Sequence, residues 1–526
     1  MVRRWFYMIS AAVLILVLAG AFVSPYVLWV LVPIVPLIAI GMHDALQNRH
    51  TILKNFPLIG HGRYMLEAVR PEIQQYFIES NIDAFPIERE LRSIVYQRAK
   101  GELETKPFGT QRDVYRIGYE WCAHSMAPVQ PLTEHPRIEI GGPDCEAPYS
   151  ASLLNISAMS FGALSKNAVL ALSAGAERGH FAHNTGEGGI SPYHLEAGAD
   201  LIWQIGTGYF GCRADDGAFD PQAFELQATQ DSVKMIELKL SQGAKPGHGG
   251  ILPGVKVTRE IADIRGVPVG ETVISPPAHR AFSTPRGLLE FLATLRQLSG
   301  GKPVGFKLCV GRRADFFAVC KAMLETGITP DFITVDGGEG GTGAAPLEFS
   351  NSVGMPAREA WVFVHNALTG VGLRDRISIV AAGKILTGFH MARALALGAD
   401  LCASARGMML ALGCIQALRC NSDHCPTGIT TQNPALVHGM NVEDKAERVE
   451  RYHEGTVDGF LELLAAMGLQ HPRRLGPRHI YRRVDDTEVR SFEEIYDFLD
   501  EGQLLHDERM PPEWRRAWRT ADPDRW

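Results

Sequence analysis

The chain has 526 residues, enough for one large domain with additions or for two to three ordinary domains. Its formal net charge is −7 and no basic block stands out, which makes nucleic acid a poor candidate partner. Glycine is abundant, at 53 residues, and many glycines cluster at the ends of apolar runs, where a backbone turns or approaches a ligand.

The N-terminal segment differs from the rest because it has no charged side chain between Trp5 and Met42. This run is too long for the core of a signal peptide and too long for one simple membrane span. Ser24-Pro25 divides it into two shorter runs. We therefore predict a transmembrane helical hairpin over residues 1–48, whose second helix is short, carries two prolines and is either kinked or re-entrant.

Basic residues flank the predicted hairpin on both sides, Arg3 and Arg4 before it and Arg49 and Lys54 after it. By the positive-inside rule both flanks lie in the cytoplasm, so we expect a cell-membrane protein with its main domain in the cytoplasm. A cleaved signal peptide is the alternative, and it would carry the cysteines found further along the chain into an oxidising compartment.

Residues 49–148 are expected to form a helical extension that packs on the main domain. Tyr64–Ile78 and Glu88–Lys100 carry apolar residues at three-and-four spacing, which is typical of amphipathic helices. The pattern breaks at Lys106-Pro-Phe-Gly109, and we assign no chemistry to this region.

From about residue 150, short β-rich runs alternate with helix-like stretches, which indicates a parallel sheet. Eight such units fit a (β/α)8 TIM barrel of the α/β class better than an open sheet, and we place this barrel at residues 149–432. The predicted strands are Leu153–Ala158, His180–Asn184, Leu201–Ile205, Met235–Leu240, Val304–Cys309, Asp331–Val335, Ile377–Ala381 and Leu401–Ala403. The predicted helices include Ser165–Arg178, Pro285–Leu298, Phe316–Thr326 and Gly388–Leu397.

In such a barrel the chemistry lies at the carboxyl ends of the strands, and here most strands end in glycine or polar clusters. Examples are Gly186-Glu-Gly-Gly189 after the second strand and Asp336-Gly-Gly-Glu-Gly-Gly-Thr-Gly343 after the sixth. Each cluster alone is more often a tight turn, but their placement after successive strands favours a ligand. The last two strands of such barrels often bind phosphate on loop amides, so we expect a phosphate-bearing cofactor across the barrel mouth.

Lys307 lies inside an otherwise apolar strand, where a lysine is costly unless it is paired or lies beside an anion. A lysine there would stabilise the negative charge that the N1–C2 edge of a flavin gains on reduction. The alternative is a lysine whose ammonium reaches the surface.

Three of the nine cysteines, Cys414, Cys420 and Cys425, lie within twelve residues, and a proline follows the last. Such thiolates are common ligands of iron–sulfur clusters, and three suit a three-iron cluster or a four-iron cluster with one open iron. A disulfide, unrelated buried thiols and a zinc site completed by His424 are the alternatives. Clustered free thiols favour a reducing compartment, and the six scattered cysteines are interpreted as buried apolar residues.

Residues 433–526 are expected to form a C-terminal helical segment that packs on the barrel. Its amphipathic stretches are Asp444–Met467 and Ser491–Leu504.

These motifs resemble the FMN-binding synthase domain of glutamate synthases, over about Tyr149 to Gln432. The resemblance is carried by Ser157-Ala-Met-Ser-Phe-Gly162, Gly186-Glu-Gly-Gly189, Gln242-Gly-Ala-Lys-Pro-Gly247, Leu252-Pro-Gly254, Ser275-Pro-Pro277, Gly340-Gly-Thr-Gly-Ala344 and Cys414-x5-Cys420-x4-Cys425-Pro. The cysteine spacing is similar to that of the family's three-iron cluster.

The resemblance implies FMN in the barrel mouth and a [3Fe-4S] cluster held by Cys414, Cys420 and Cys425. It implies an oxidoreductase acting on CH–NH2 groups, in which electrons pass from the cluster to FMN. They continue to 2-iminoglutarate, formed from a 2-oxo acid and ammonia or another amine, so that L-glutamate is made. The expected FMN contacts are Ala158, Met159, Ser160, Gln204, Lys307, Asp336, Gly338, Gly341, Thr342, Gly343, Gly383, Lys384, Ala405 and Arg406.

The chain departs from full-length glutamate synthases and resembles the stand-alone, membrane-tethered members of the family. We identify no glutaminase domain and no dinucleotide-binding domain in the sequence, so a ferredoxin or a flavoprotein is the expected electron donor. His248 stands where the family usually has glutamate, and Ala278-His279-Arg280 replaces paired histidines. The resemblance therefore bears on the cofactors more directly than on the substrate.

The expected catalytic residues are Lys307 beside the flavin and Glu187, Lys245, His248 and Lys256 around the substrate and its carboxylates. A lysine suits a carboxylate, and His248 is either a proton donor or an ordinary loop histidine. Two other functions stay open. One is an FMN dehydrogenase that oxidises an amine or hydroxy acid and passes electrons to a membrane carrier, and the other is a membrane-anchored electron relay without catalysis.

Overall fold

The computed structural model describes residues 2–102, 105 and 107–526. The chain forms two compact units, one that ends at Glu90 and one that runs from Leu91 to Trp526. The unit boundary falls two residues into a helix, Arg89–Lys100.

The first unit begins with two apolar helices, Val2–Ala21 and Pro25–Leu46, each long and apolar enough to cross a membrane. The first helix ends three residues before Ser24-Pro25, the break that the sequence predicts, since proline cannot continue a helix through its own position. The second helix starts with a 3-10 turn and has Pro36 inside its α-helical part.

A buried carboxylate closes the end of the second apolar helix. Asp44 is 1% exposed, and His61 Nε2 donates to its two oxygens at 3.0 and 2.9 Å. The Leu58 N–H donates to the same carboxylate at 3.1 Å. These bonds satisfy a charge that would be costly if left unpaired. The further helices of this unit are Thr51–Asn55 and Ile59–Ile73, which continues as a π turn over Gln74–Ile78.

The second unit is built on a closed barrel of eight parallel strands, which confirms the predicted (β/α)8 fold. The strands are β1 (Leu154–Ile156), β2 (His183–Asn184), β3 (Leu201–Ile205), β4 (Val233–Lys239), β5 (Val304–Cys309), β6 (Phe332–Asp336), β7 (Ser378–Ala382) and β8 (Leu401–Ser404). The barrel closes where β8 pairs with β1, with Cys402 opposite Leu154. β2 is shorter than predicted because His180 has a φ of +52°, which is incompatible with a strand.

A buried polar layer lies inside the barrel around Glu237 on β4. Its Oε1 accepts hydrogen bonds from Asn184 Nδ2 at 2.8 Å and from Gln204 Nε2 at 2.6 Å. Its Oε2 accepts one from Thr334 Oγ1 at 2.5 Å. The carboxylate thus ties four strands together through hydrogen bonds, which offset the cost of burying it.

Helices surround the barrel, and several begin with a hydroxyl cap that satisfies a free backbone N–H. Ser165 accepts from the Ala168 N–H, and Thr387 accepts from the His390 N–H. The helices between the strands are Lys166–Arg178, Pro192–Leu195, Pro221–Ala228, Arg259–Arg265, Pro285–Leu298, Arg313–Thr326, Leu347–Ser352, Ala357–Gly370 and Gly388–Ala396, and Arg406–Ala411 follows β8.

The expected helical extension over residues 49–148 is helical only as far as Lys100. Beyond it, the described residues form irregular structure and two short strands, Glu120–Cys122 and Arg137–Ile140. Frequent prolines and glycines explain the difference, because both residues disfavour a continuing helix. The predicted break at Lys106-Pro-Phe-Gly109 falls partly outside the described residues.

The C-terminal segment is dominated by one long helix, Val442–Ala466, on the outside of the barrel. His453 Nε2 lies 3.0 Å from the Leu154 carbonyl oxygen, and Tyr452 donates to the Leu386 carbonyl at 3.1 Å. The helix expected over Ser491–Leu504 is reduced to a four-residue helix and a separate 3-10 turn. The other elements here are Pro434–Val437, Ile480–Arg483, Val489–Ser491 and Pro512–Thr520.

Candidate active site

An ion pair between Glu187 and Lys239 lies at the carboxyl ends of β2 and β4. Glu187 Oε2 is 2.9 Å from Lys239 Nζ, and the two side chains are 19% and 10% exposed. Glu187 lies in a short turn, Gly186–Gly188, close behind β2. A Cβ at Gly206 or Gly250 would come within 2.8 or 2.6 Å of the Glu187 carboxylate. The carboxylate therefore needs glycine at both neighbouring positions.

Three cations surround this one carboxylate and keep it ionised. Burial raises the pKa of Glu187, but the charge and hydrogen bond of Lys239 and the charges of Lys245 and Arg265 lower it further. The net shift of the pKa is downward, so Glu187 is negative at neutral pH. The cluster as a whole carries excess positive charge, which suits an anionic ligand.

Lys245 belongs to the loop after β4 and is 3% exposed. Its Nζ donates to the Ala344 carbonyl at 2.8 Å, its one hydrogen bond among the described residues. Burial lowers the pKa of Lys245 to about 8, although the charge of Glu187 opposes the shift. Two N–H donors therefore remain for a ligand carboxylate when the amine is protonated.

Arg265 closes the other side of the cluster. Its Nη2 donates to the Phe161 carbonyl at 2.8 Å, and its guanidinium lies 5.1 Å from the centroid of the Phe210 ring. Its Nε is buried and has no hydrogen-bond partner within the described part of the chain. An unpaired buried donor of this kind is costly unless a ligand accepts its hydrogen bond.

A small pocket opens beside these charges, with about 280 Å³ of space that includes solvent at its open mouth. Glu187 and Arg265 are its charged lining residues, and Phe210, Ile251 and Leu252 supply apolar wall. The pocket is thus complementary to a small molecule that carries an anionic and a cationic or protonated group next to an apolar portion.

Lys307 and Asp336 form a second buried pair, on the adjacent strands β5 and β6. Lys307 Nζ is 3.6 Å from Asp336 Oδ2, and the side chains are 7% and 8% exposed. Burial lowers the pKa of Lys307, but the charges of Asp336 and Glu237 raise it more, and the net shift is upward. The lysine is therefore charged and buried. This burial contradicts the alternative that the Lys307 ammonium reaches the surface.

Of the other residues expected to contact FMN, Gln204 lies inside β3, and the rest follow β1, β6, β7 and β8. Gln204 and Arg406 bond inside the protein, Gln204 to Glu237 and Arg406 Nη2 to the Glu339 carbonyl at 2.6 Å. The rest are half-buried or exposed at the barrel mouth, namely Ala158, Met159, Ser160, Gly338, Gly341, Thr342, Gly343, Gly383, Lys384 and Ala405.

The mouth fits a phosphate-bearing flavin. Gly383 and Lys384 form the turn after β7 with φ values of +121° and +51°. Successive N–H groups in such turns make concave sites for phosphate oxygens. The charged Lys307 lies deeper in the barrel, on the inner side of the same mouth, where it suits the ring end of the cofactor.

Two histidines near the cluster have different surroundings. His248 Nδ1 lies 2.9 Å from the Gly249 carbonyl, and its ring meets Phe349 edge-on, which leaves Nε2 as the atom for a ligand. His279 is 8% exposed, with Nε2 2.9 Å from the Lys239 carbonyl. Burial lowers the pKa of His279 to about 4, so this ring is neutral and fixes the backbone of Lys239.

Lys256 has a different place from the one expected for a substrate-binding residue. Its Nζ donates to the carbonyls of Ala163 at 3.3 Å, Cys420 at 2.7 Å and Thr430 at 2.5 Å. The residue is 2% exposed. All three ammonium hydrogens are accounted for by backbone oxygens, so the structure gives Lys256 a role in holding loops together.

The nine cysteines are all free thiols. Cys414 and Cys420 are half-buried and Cys425 is buried. Of the six scattered cysteines, Cys212, Cys309, Cys320 and Cys402 are buried as expected, while Cys122 and Cys145 are half-buried. The disulfide alternative for the clustered three therefore has no support in the structure.

The cysteine loop, residues 413–428, holds three free thiols, which are the donors that iron–sulfur clusters bind, but their surroundings differ. Burial raises the pKa of Cys414 to about 11. Burial also raises the pKa of Cys425, but hydrogen bonds from Thr427 and from the Thr430 backbone lower it more, and its net shift favours the thiolate. Cys425 Sγ is 3.3 Å from Thr427 Oγ1. Within the described residues, no group of three or more His, Cys, Asp or Glu side chains is placed to hold a single metal ion, a zinc site with His424 included.

Lys239, Arg265 and His279 are the site residues that the sequence motifs did not single out for a role. Lys239 is the last residue of β4 and Lys307 lies inside β5, and each is a lysine in a largely buried strand, so the same signal would have found Lys239. Arg265 ends the helix Arg259–Arg265 and carries no local signal. Only the fold brings its guanidinium back to Glu187.

Comparisons with known proteins agree with this geometry. The family profile described as "Conserved region in glutamate synthase" matches residues 133–470. "Glutamate synthase large subunit-like protein YerD" of Bacillus subtilis (strain 168) is 38% identical over 499 residues, 87% of this chain and 94% of that protein. "Archaeal glutamate synthase [NADPH]" of Methanocaldococcus jannaschii is 37% identical over 316 residues, 60% of this chain and 58% of that protein.

A solved structure of a mutant flavocytochrome b2 with pyruvate bound covers 87% of this chain and 93% of its own, at 12% identity and a TM-score of 0.43. The family assignment rests on the sequence matches alone. The profile covers more than half of the chain, and the Bacillus relative matches along nearly its whole length. The chain belongs to the glutamate synthase family of oxidoreductases.

Proposed function

We propose that the protein is an FMN- and iron–sulfur-dependent oxidoreductase that reduces a 2-imino acid, formed from a 2-oxo acid and ammonia or another amine, to an amino acid. L-glutamate is the product proposed first, because the chain belongs to the glutamate synthase family. The observation that carries the proposal is the carboxylate of Glu187 amid Lys239, Lys245 and Arg265 beside a small pocket.

In this mechanism the cations bind the carboxylate of the substrate, and Glu187 forms a hydrogen bond with its nitrogen. Lys245 and the unpaired Nε of Arg265 bind carboxylate oxygens of the 2-imino acid. The Glu187 carboxylate accepts a hydrogen bond from the nitrogen and orients it. His248 Nε2 is the proposed proton donor.

FMN in the barrel mouth supplies hydride chemistry when bound, and Lys307 is the residue that stabilises added negative charge there. Cys414, Cys420 and Cys425 are the proposed ligands of a [3Fe-4S] cluster, which supplies single electrons when bound. A reduced ferredoxin or a flavoprotein is the proposed electron donor. The archaeal relative has NADPH in its name, but the chain spans only 58% of that protein, so this donor is not carried over.

The experiment that tests the proposal uses the full chain, purified in detergent without oxygen. FMN, iron and sulfide are assayed, the protein is reduced, and 2-oxoglutarate is added with 15N-ammonium while flavin reoxidation and labelled glutamate are followed. Reoxidation with labelled glutamate supports the proposal, and omitting ammonium should abolish both. Reoxidation without an amino acid product, or none with both cofactors present, contradicts the glutamate assignment.

We propose further that Val2–Ala21 and Pro25–Leu46 form a membrane hairpin and that the barrel lies in the cytoplasm. Both helices are apolar, and basic residues flank the pair on both sides. The protein should then stay in the pellet when membranes are washed with alkaline carbonate. The intact mass should show no loss of the first helix, because a shortened chain would mean a cleaved signal peptide instead.

A second candidate function is an FMN dehydrogenase that oxidises an amine or hydroxy acid and passes the electrons to a membrane carrier. The two apolar helices favour it, since lipid-soluble carriers reside where such helices insert. Anaerobic bleaching of the oxidised flavin by an amino acid or hydroxy acid would support this function. Flavin that exchanges electrons with carriers but reacts with no substrate would indicate a relay.

A further inference from the structure

We propose that Lys256 is a positioning residue that fastens the cysteine loop to the substrate pocket and keeps a positive charge beside its thiolates, so that the reduction potential of a cluster held there is raised. The effect on the reduction potential rests on the proposed function, because it requires a bound cluster. The attachment of the cysteine loop by Lys256 does not require a cluster.

The geometry of fastening is complete in the structure. Lys256 Nζ donates to Cys420 O and Thr430 O, one inside the cysteine loop and one just after it, and to Ala163 O. Ala163 and Leu252 both line the substrate pocket, and Leu252 lies four residues before Lys256 in sequence. One ammonium group thus joins the pocket wall to the backbone that carries the cysteines.

The hydrogen bonds of Lys256 also fix where its charge lies. Its ammonium is 2.7 Å from the carbonyl oxygen of Cys420 and is therefore held beside the backbone that carries the thiols. Interactions between charges in a buried site are screened less than those in water. The potential of an iron–sulfur cluster depends on the net charge around it, and a fixed cation favours the more negative, reduced state.

Lys302 offers a matched control because it fastens backbone in the same way elsewhere. Its Nζ donates to the carbonyls of Ala228 and Gln230, both at 2.7 Å. It lies two residues before β5, at the opposite end of the barrel from the strand ends that form the site. Loss of this lysine should remove a similar set of bonds without touching the cysteine loop.

The first measurement compares wild type, Lys256→Met and Lys302→Met as full chains reconstituted with iron and sulfide. The cluster is titrated anaerobically by EPR. We expect Lys256→Met to lower the equilibrium constant for one-electron reduction of the cluster at least about tenfold, which lowers its reduction potential by about 59 mV. Lys302→Met should leave the potential unchanged. An unchanged potential in Lys256→Met, or equal shifts in both variants, overturns the charge role.

The second measurement needs no cluster. Hydrogen–deuterium exchange of the cysteine loop is timed in metal-free protein by peptide mass spectrometry, a readout that reports opening of the backbone and not the charge on the thiols. Backbone N–H groups of the loop should exchange about tenfold faster in Lys256→Met than in Lys302→Met, because the loop loses charge-assisted hydrogen bonds. Equal rates overturn the fastening role.

These two measurements separate the inference from the proposed function. Wild-type protein that binds no iron contradicts the cluster in the proposed function, and hydrogen exchange of the cysteine loop then decides the fastening role by itself. If Lys256→Met does not fold, Lys256→Gln replaces it, since a neutral amide still donates hydrogen bonds. A Gln variant with the wild-type potential overturns the charge role as well.

Discussion

Glu187 Oε2 lies 2.9 Å from Lys239 Nζ, a contact between the turn after β2 and the last residue of β4. The two residues are 52 positions apart in sequence, and both point into a site that also holds Lys245 and Arg265. The pair fixes a negative group among cations, and the proposed 2-imino acid substrate, which has a carboxylate and a nitrogen, requires groups of both signs.

Replacing Glu187 by Gln should reduce kcat/KM for amino acid formation by about 10- to 100-fold, because a hydrogen bond to a charged group contributes about 1.5–3 kcal/mol. The amide keeps the size of the side chain but removes the charge that orients the substrate nitrogen. The readout is labelled glutamate formed anaerobically. Glu225→Gln, on the exposed face of the helix Pro221–Ala228, is the matched control and should have no effect. Equal activity in the two variants would contradict the role of Glu187.

The pH dependence of substrate binding should report Lys245. Burial lowers the pKa of Lys245 to about 8, so the protonated form that binds a carboxylate is lost as the pH rises through this value. We expect kcat/KM to fall above about pH 8, and Lys245→Arg, which keeps its charge, to remove this limb of the profile. A profile that is identical in wild type and the Arg variant would exclude Lys245 as its source.

The same shift makes a prediction about stability with a definite sign. The folded-state pKa of Lys245 lies below its ordinary value, so the unfolded chain binds more protons between about pH 8 and pH 10.4. The contribution of this group to the free energy of unfolding should therefore rise with pH across that window. Denaturant titrations of wild type and Lys245→Met at both ends of the window measure it, and the Met variant should lack this rise.

Lys307→Met should weaken both the barrel and flavin binding. The substitution leaves Asp336 as an unpaired buried charge, and breaking such a pair costs about 3–5 kcal/mol of unfolding free energy. Because the pKa of Lys307 is raised, the stabilisation is present below the ordinary lysine pKa and is lost only as the pH rises through the folded-state pKa.

Urea unfolding and the FMN content of purified protein are the measurements for Lys307→Met. Lys234→Met is the matched control on β4, since its pair with Asp200 is 3.7 Å long and more than a third exposed on each side. An exposed pair contributes about 0–1 kcal/mol. Equal losses of stability in the two variants would contradict a buried, charged Lys307.

Replacing Cys414, Cys420 or Cys425 by Ser should each reduce bound iron and sulfide to a small fraction of the wild-type content, because the thiolates are the proposed ligands. Cys122→Ser is the control, since Cys122 is also not fully buried but lies outside the cysteine loop. Iron and acid-labile sulfide per chain, with EPR of the oxidised protein, are the readouts. Full iron content in the three variants would remove the cluster from the proposed mechanism.

Alternating apolar runs and glycine clusters were sufficient to predict the barrel. Each strand had to bury an apolar run, and each crossover had to be a helix, so local patterns were enough to place eight strands within a few residues. The extension beyond Lys100 was not predicted correctly, because its prolines and glycines disfavour a continuing helix.

Residue types at the strand ends indicated Glu187, Lys245 and Lys307 in advance, since charged groups in apolar or glycine-rich surroundings need a partner or a ligand. Local sequence patterns did not identify the residues that these three contact. Lys256 shows this limit of local sequence most directly. Its neighbours in sequence do not distinguish a lysine that binds substrate from one that donates to three backbone carbonyls, which is what the structure has.

The sequence by itself thus determined the strand order, the cysteine spacing and the family, all of which depend on residue type and spacing along the chain. The tertiary structure alone decided which charges meet: Glu187 with Lys239, Lys307 with Asp336, and Lys256 with the cysteine loop. The physical reason is that an ion pair depends on distances of a few ångströms, and closure of the barrel, not proximity in sequence, sets those distances.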